Sequence, residues 1–279
     1  MAYIKPEYIV DVMIQAGERK AQSSILHLTV KGAAAAVLLG FGVTLASMAK
    51  GEPQLGLAIL FIIVACLSLL FILKLELVTG SFAFLPMAVM EKKAVYKGML
   101  ARWGWVIFGH LTGGILYALA YAGWAAHFNE AAAHSMASAA EAKTTAYAEL
   151  GAPGVFVVLM KAIVCNFLVT LGIVFIMLSR SKGGKVISTG FLMIIFFSQS
   201  FEHAVVNMYA IPAGMLLGAD VSVADWWLWN ELPVLTGNLL GGLLFAACAL
   251  SLVQAKEVSN QLLQTVQTNL PKAGIQRRE

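Results

Sequence analysis

Lys74-Leu75-Glu76-Leu77-Val78-Thr79-Gly80-Ser81-Phe82 sets two charged side chains and a glycine in the middle of an apolar run, residues 55–90. That run is too long for one straight membrane crossing, which needs about 20 apolar residues. Phe201-Glu202-His203-Ala204-Val205-Val206-Asn207-Met208 does the same within residues 186–217. Each run therefore reads as a helix broken near its middle, with polar groups and freed backbone held at membrane depth. Such backbone is tolerated only inside protein or along a water-filled path.

Working outward, six spans emerge at about 27–49, 55–90, 101–124, 153–179, 186–217 and 232–254, with the second and fifth broken. Three spans followed by three spans describe a duplicated unit. Because three is odd, the halves must face opposite ways across the membrane, an inverted repeat whose broken helices mark a pathway near the midplane. The expected fold is an all-α membrane protein of six transmembrane helices in two inverted three-helix repeats. Residues 1–26 are expected as an amphipathic N-terminal helix, 27–254 as the transport domain and 255–279 as a partly helical tail.

Composition agrees: 59% of the 279 residues are hydrophobic and only 12% charged, with mean hydropathy +0.80. A soluble domain carries about twice that charged fraction. The basic residues lie on one side of the span pattern. Lys5, Arg19, Lys20 and Lys31 sit near the first span; Lys92, Lys93, Lys97 and Arg102 lie in the second loop; Arg180, Lys182 and Lys185 lie in the fourth. The tail adds Lys256, Lys272, Arg277 and Arg278, whereas the alternate loops carry only Lys50 and Lys143. This asymmetry predicts both termini in the cytoplasm and removes any reason to read the net positive charge as nucleic-acid binding. Trp103, Trp105 and Trp124, with Trp226, Trp227 and Trp229, read as an aromatic belt.

The ends read as helical. Ile9, Val12, Met13 and Ala16 share one face, as do Val258, Leu262, Val266 and Leu270. Either stripe suits the cytoplasmic surface or a neighbouring subunit, and the N-terminal arm could also serve as a gate. The Ala-rich loop 125–152 reads as solvated and without chemistry.

Candidate site residues follow from cost. Lys161 lies about eight residues into the fourth span, roughly 12 Å deep at 1.5 Å per residue. Burying it or Glu202 costs at least about 3 kcal/mol, so each implies a partner or a hydrated route. Asn166 follows Lys161 near mid-span, and His203 and Asn207, four apart, share a helical face. A structural histidine is the bland alternative for His203, but its place beside Glu202 at a helix break favours a role in the pathway. Lys74 and Glu76, flanking the first break, either simply pair and cap exposed helix ends or serve the pathway. His110 reads as a satisfied packing residue, and Lys31 as a snorkelling one. Gly109/Gly113 and Gly237/Gly241 have the spacing of close helix contacts, with Asn238 bonding across the second. Cys66, Cys165 and Cys248 are isolated in apolar segments, with no metal or redox spacing, and no cofactor is expected. No nucleophile elbow, paired carboxylate site or phosphate loop points to an enzyme.

At these residues the chain resembles the formate/nitrite transporter family. The matching stretches are Glu76-Leu77-Val78-Thr79-Gly80, Lys161 through Val169 including Asn166, Glu202-His203 through Asn207-Met208, and Gly237-Asn238 with Gly241-Gly242. The resemblance implies an aquaporin-like fold, a homopentamer with one pore per protomer, and passage of a small monovalent anion together with a proton. Formate is the leading expectation and nitrite the second, in the cytoplasmic membrane of a prokaryote. It further implies that Thr79 stands at the loop breaking the second helix and that His203 is the central pore histidine. Asn166 and Asn207 would line the pore, Lys161 would supply positive field from behind, and Leu67, Leu77, Val78 and Phe196 would form apolar constrictions. Ser81 stands where the family pattern leads one to expect asparagine. The rival reading is an aquaporin-like channel for small neutral solutes, which the absence of paired Asn-Pro-Ala motifs and the presence of Lys161 and His203 disfavour.

Overall fold

A computed structural model describes residues 8–49, 56–128, 130–198 and 200–269, and every extended element among them is an α-helix. In chain order these are α1 (Ile9–Gln22), α2 (Ile25–Ala49), α3 (Gly56–Ile72), α4 (Val78–Met90), α5 (Tyr96–Phe128), α6 (Glu130–Lys143) and α7 (Thr145–Leu150). The rest are α8 (Ala152–Leu178), α9 (Lys182–Ser198), α10 (Ala204–Leu216), α11 (Val223–Asp225) and α12 (Leu232–Asn269). Between α11 and α12, Trp226–Glu231 form a π-helical turn.

Among the described residues, four stretches are long and apolar enough to cross a bilayer: Ile25–Ser47, Tyr96–Ala125, Ala152–Leu178 and Val223–Ser251. The other two apolar runs are divided, α3 from α4 and α9 from α10. Each of the 13-residue helices α4 and α10 extends only roughly 20 Å, short of a hydrocarbon core.

The breaks have a local cause. Leu75 N–H donates to the Leu70 carbonyl at 2.8 Å and Lys74 N–H to Phe71 at 3.3 Å. Together with the left-handed φ of 52° at Lys74, that is a Schellman termination. Glycine usually fills such a position; a lysine there costs on the order of 1 kcal/mol. Ser200, with φ 47°, stands two residues before Glu202 as Lys74 stands two before Glu76. The chain then runs extended into the next helix through Leu77 (φ −121°, ψ 123°) and His203 (φ −128°, ψ 116°).

Neither Leu77 nor His203 caps its helix through its own side chain, so the first amide of each helix must find a partner elsewhere. His110 Nε2 on α5 accepts from Val78 N–H at 3.1 Å, and Asn238 Oδ1 on α12 accepts from Ala204 N–H at 3.0 Å. His110 Nδ1 donates in turn to the Gly32 carbonyl at 2.8 Å, and Asn238 Nδ2 to Ala162 at 2.9 Å. His110 is thus satisfied at both nitrogens, as expected of a packing residue.

The long helices pack as close pairs, α2 along α5 and α8 along α12. A side chain on Gly109 or Gly113 would strike the backbone carbonyls of Thr29 and Ala33, and one on Gly241 that of Ile163. Gly113→Val is therefore expected to push α2 off α5, at about 1–3 kcal/mol. A thermal melt of the detergent-purified protein checks this; an unchanged midpoint contradicts the contact.

Two expectations change. The apolar face of the N-terminal helix is covered by its own subunit and not by a neighbouring one: α1 packs on α4, buries Val10, Met13, Ile14 and Ala16, and sets Gly17 against the Phe84 backbone. Trp103 and Trp226 do not join an aromatic belt. Trp103 stacks edge-on against Phe82 with centroids 5.2 Å apart and donates to the Ser81 carbonyl at 3.4 Å. Trp226 is buried and bonded to Glu231. The side chains of the tail stripe Val258, Leu262 and Val266, and all of Leu270, lie outside the described residues, as does the Phe196 side chain.

Candidate functional site

The two breaks meet at the centre of the molecule. His203 Nε2 lies 3.2 Å from Thr79 Oγ1, so the N-cap of α10 touches the first turn of α4. Asn166, on α8 and wholly buried, donates through Nδ2 to the Thr79 carbonyl at 3.1 Å and to the Asn238 carbonyl. Its Oδ1 has no partner among the described residues. An unpaired buried amide oxygen costs about 1–3 kcal/mol unless water or a passing donor meets it.

Beside His203 is an apolar cavity of about 30 Å³ whose walls include Leu67, Leu70, Phe71, Leu77 and Val206. That volume holds one or two water-sized groups. His203 is the only polar residue among its described lining. Leu67 and Leu77 therefore share a cavity with the histidine. Val78 does not line it; its amide is used in capping and its side chain is buried in the core.

Each broken helix carries a buried carboxylate with an ammonium partner. Glu76 pairs with Lys20 of α1 and accepts from Ser81 Oγ at 2.6 Å. Arg102 Nε donates to the Lys20 carbonyl at 3.1 Å, which secures the end of α1. Lys74 itself is exposed and is not the partner of Glu76. Ser81, the departure from the family pattern, thus supplies the donor that Asn207 supplies in the other half.

The Glu202 carboxylate, 2% exposed, collects more. It accepts from Lys143 Nζ at 2.8 Å, Asn207 Nδ2 at 2.8 Å, Tyr147 Oη at 3.0 Å and Asn230 Nδ2 at 3.3 Å. Lys161 Nζ donates to Tyr147 Oη at 3.1 Å and is half-buried, so it reaches Glu202 through the phenol. Burial, with the Glu202 carboxylate beside it, raises the Tyr147 phenol above its ordinary range, so it remains a donor. Asn207 also donates to Asn230 Oδ1 at 2.7 Å; it sits in the carboxylate network and not on the wall of the apolar cavity.

Four participants have no sequence motif to announce them: Lys20, Lys143, Tyr147 and Asn230. Lys143 and Tyr147 belong to the Ala-rich segment 125–152 that reads as solvated, and instead close over Glu202. The π-helical turn, entered by a Ser222–Asp225 capping box, turns Asn230 and Glu231 inward, a use such turns often have. The one signal that could have pointed to Lys143 was its isolation as a cation in a segment otherwise acidic or neutral.

A family profile described as Formate/nitrite transporter matches residues 7–252. A formate channel of Bacillus thuringiensis is 27% identical over 270 residues, covering 93% of this chain and 99% of that protein. Among solved structures, an FNT family ion channel superposes with a TM-score of 0.72 at 24% identity, covering 88% of this chain and 98% of the other. A pentameric formate channel with formate bound gives 0.68 at 20% identity, covering 83% and 98%. The fold is that of FNT channels, and the chain belongs to the formate/nitrite transporter family of membrane transporters.

Proposed function

We propose that this chain carries formate, with nitrite as the second candidate, through one pore per subunit, and that a proton crosses with the anion at His203. The observation that carries the reading is the apolar cavity at His203, set between two charged clusters built on Glu76 and Glu202. Lys161 and the amides at the helix breaks draw an anion inward. An ionised carboxylate in a cavity lined by aliphatic side chains is held off by a desolvation cost far above that of the neutral acid. Imidazole is the side chain suited to exchanging a proton near neutral pH. Thr79 and Asn166 hold the histidine side of the path; Leu67 and Leu77 keep it dry.

The proposed architecture is six crossings in two inverted three-helix units, residues 27–254, with an aquaporin-like arrangement. Matching caps at Val78 and Ala204, matching carboxylates at Glu76 and Glu202, and matching close pairs α2–α5 and α8–α12 support it. Loop charge supports segments 1–26 and 255–279 on the cytoplasmic face, and the membrane in this reading is the cytoplasmic membrane of a prokaryote. The pentameric state of the formate channel that shares the fold supports a homopentamer. Val78, Phe196 and Asn207 keep supporting roles in this reading, as constriction and framework residues.

Uptake of labelled formate into proteoliposomes tests the reading. Saturable or channel-like entry that rises toward acid pH and is reduced by excess nitrite is expected. Water or glycerol permeation without formate entry moves the chain to the neutral-solute class.

A further inference from the structure

A second cavity, about 470 Å³, opens on the α1 side of the pore and shares Leu70, Phe71 and Leu77 with the wall of the His203 chamber. Five basic residues line it, Arg19, Lys20, Lys31, Lys74 and Lys185, against one carboxylate, Glu76. That carboxylate is already engaged by Lys20 and Ser81. Arg19, Lys31, Lys74 and Lys185 make no ion pair with another described residue. Lys31 and Lys185 are moreover half-buried. The cluster on the other side holds only one cation without a carboxylate partner, since Lys143 is paired with Glu202 and Lys161 bonds the neutral Tyr147 phenol.

Four uncompensated cations around one concavity exceed what a single monovalent anion uses. They come from four separate parts of the fold, the end of α1, α2, the break after α3 and the start of α9. Their convergence is therefore a property of the folded chamber and not of one basic stretch. The volume falls in the range of sites that hold whole small molecules. The floor, in contrast, narrows to leucine and phenylalanine, which a multiply charged group cannot cross.

We propose that this vestibule binds a multiply charged phosphate group, and that its occupant blocks the route to His203. Guanidinium suits bidentate contact with phosphate oxygens, and the three lysines add point charges around it. Blocking rests on the transport reading above; binding does not.

The test is calorimetric titration of inorganic pyrophosphate into the full-length protein in phosphatidylcholine nanodiscs at moderate salt. Saturable binding is expected, weakened about tenfold or more in K74Q/K185Q, as loss of paired charges in a shared site does, with the thermal midpoint of that variant confirming its fold. No saturable binding, or equal affinity in the variant, overturns the proposal. Repeating the titration in phosphatidylglycerol discs separates the sources. Apparent affinity lowered by competition assigns the site to a lipid headgroup, and unchanged affinity assigns it to a soluble phosphate. Pyrophosphate binding without any formate flux in liposomes leaves this site standing and removes the transport reading. Formate flux with no pyrophosphate binding does the reverse.

Discussion

His203→Leu is expected to lower formate flux roughly ten- to a hundredfold. The cavity beside His203 has no other polar residue in its described lining, so the permeating group loses its one hydrogen-bonding partner there. A hydrogen bond to a charged group is worth about 1.5–3 kcal/mol, and each 1.36 kcal/mol is tenfold in rate. The substitution also removes the 3.2 Å contact with Thr79, so a thermal melt must accompany the assay to show that the two broken helices still meet. His203→Gln separates hydrogen bonding from proton exchange. An amide restores a polar group but cannot exchange a proton near neutral pH, so flux recovers in part while its rise toward acid pH disappears. Flux that stays at the wild-type level in the leucine variant contradicts the role assigned to this histidine.

The second large effect is structural. Lys143→Met leaves Glu202 buried with its ammonium partner gone, and breaking a fully buried pair costs about 3–5 kcal/mol. Here the loss is put at about 2–3 kcal/mol, because the Lys143 side chain is 23% exposed and solvent screens part of the interaction. Three neutral donors, from Tyr147, Asn207 and Asn230, remain on the carboxylate. Adding Glu202→Gln to Lys143→Met removes the stranded charge and is expected to recover much of the midpoint. The comparison of single and double variants isolates the pair. A double variant no more stable than Lys143→Met shows that the ion pair is not what holds the α6–α7 segment over α10.

Much of this architecture is legible because membrane depth makes polar residues expensive. Glu76 and Glu202 are visible in sequence as charges inside apolar runs, and the breaks at Lys74 and Ser200 fall just before them. His203, Thr79 and Asn166 come together as the motifs suggest, since all three lie on or against the half-helices. What is not legible is which partner answers each charge. Lys74 is two residues from Glu76, yet Lys20, 56 positions away, takes the ion pair, because packing α1 on α4 brings it there. Lys143 and Tyr147 hide in a segment whose alanine content signals a helix but not what it covers. Asn207 shares a helical face with His203 in sequence terms, but the extended backbone at His203 lies outside that helix and turns the two side chains to different neighbours. Trp226 and Glu231 bond each other through a π-helical turn, a geometry that no 3.6-residue periodicity announces.

The most direct measurement records labelled formate entry and internal pH together in wild-type proteoliposomes, with the membrane potential clamped and then stepped by 100 mV. If formate crosses as the neutral acid at His203, one proton enters with each formate and the potential step leaves the final distribution unchanged. If the anion crosses alone, internal pH does not follow formate. A 100 mV step then acts on one charge with about 2.3 kcal/mol, redistributing formate about 50-fold. That second result contradicts proton linkage at His203.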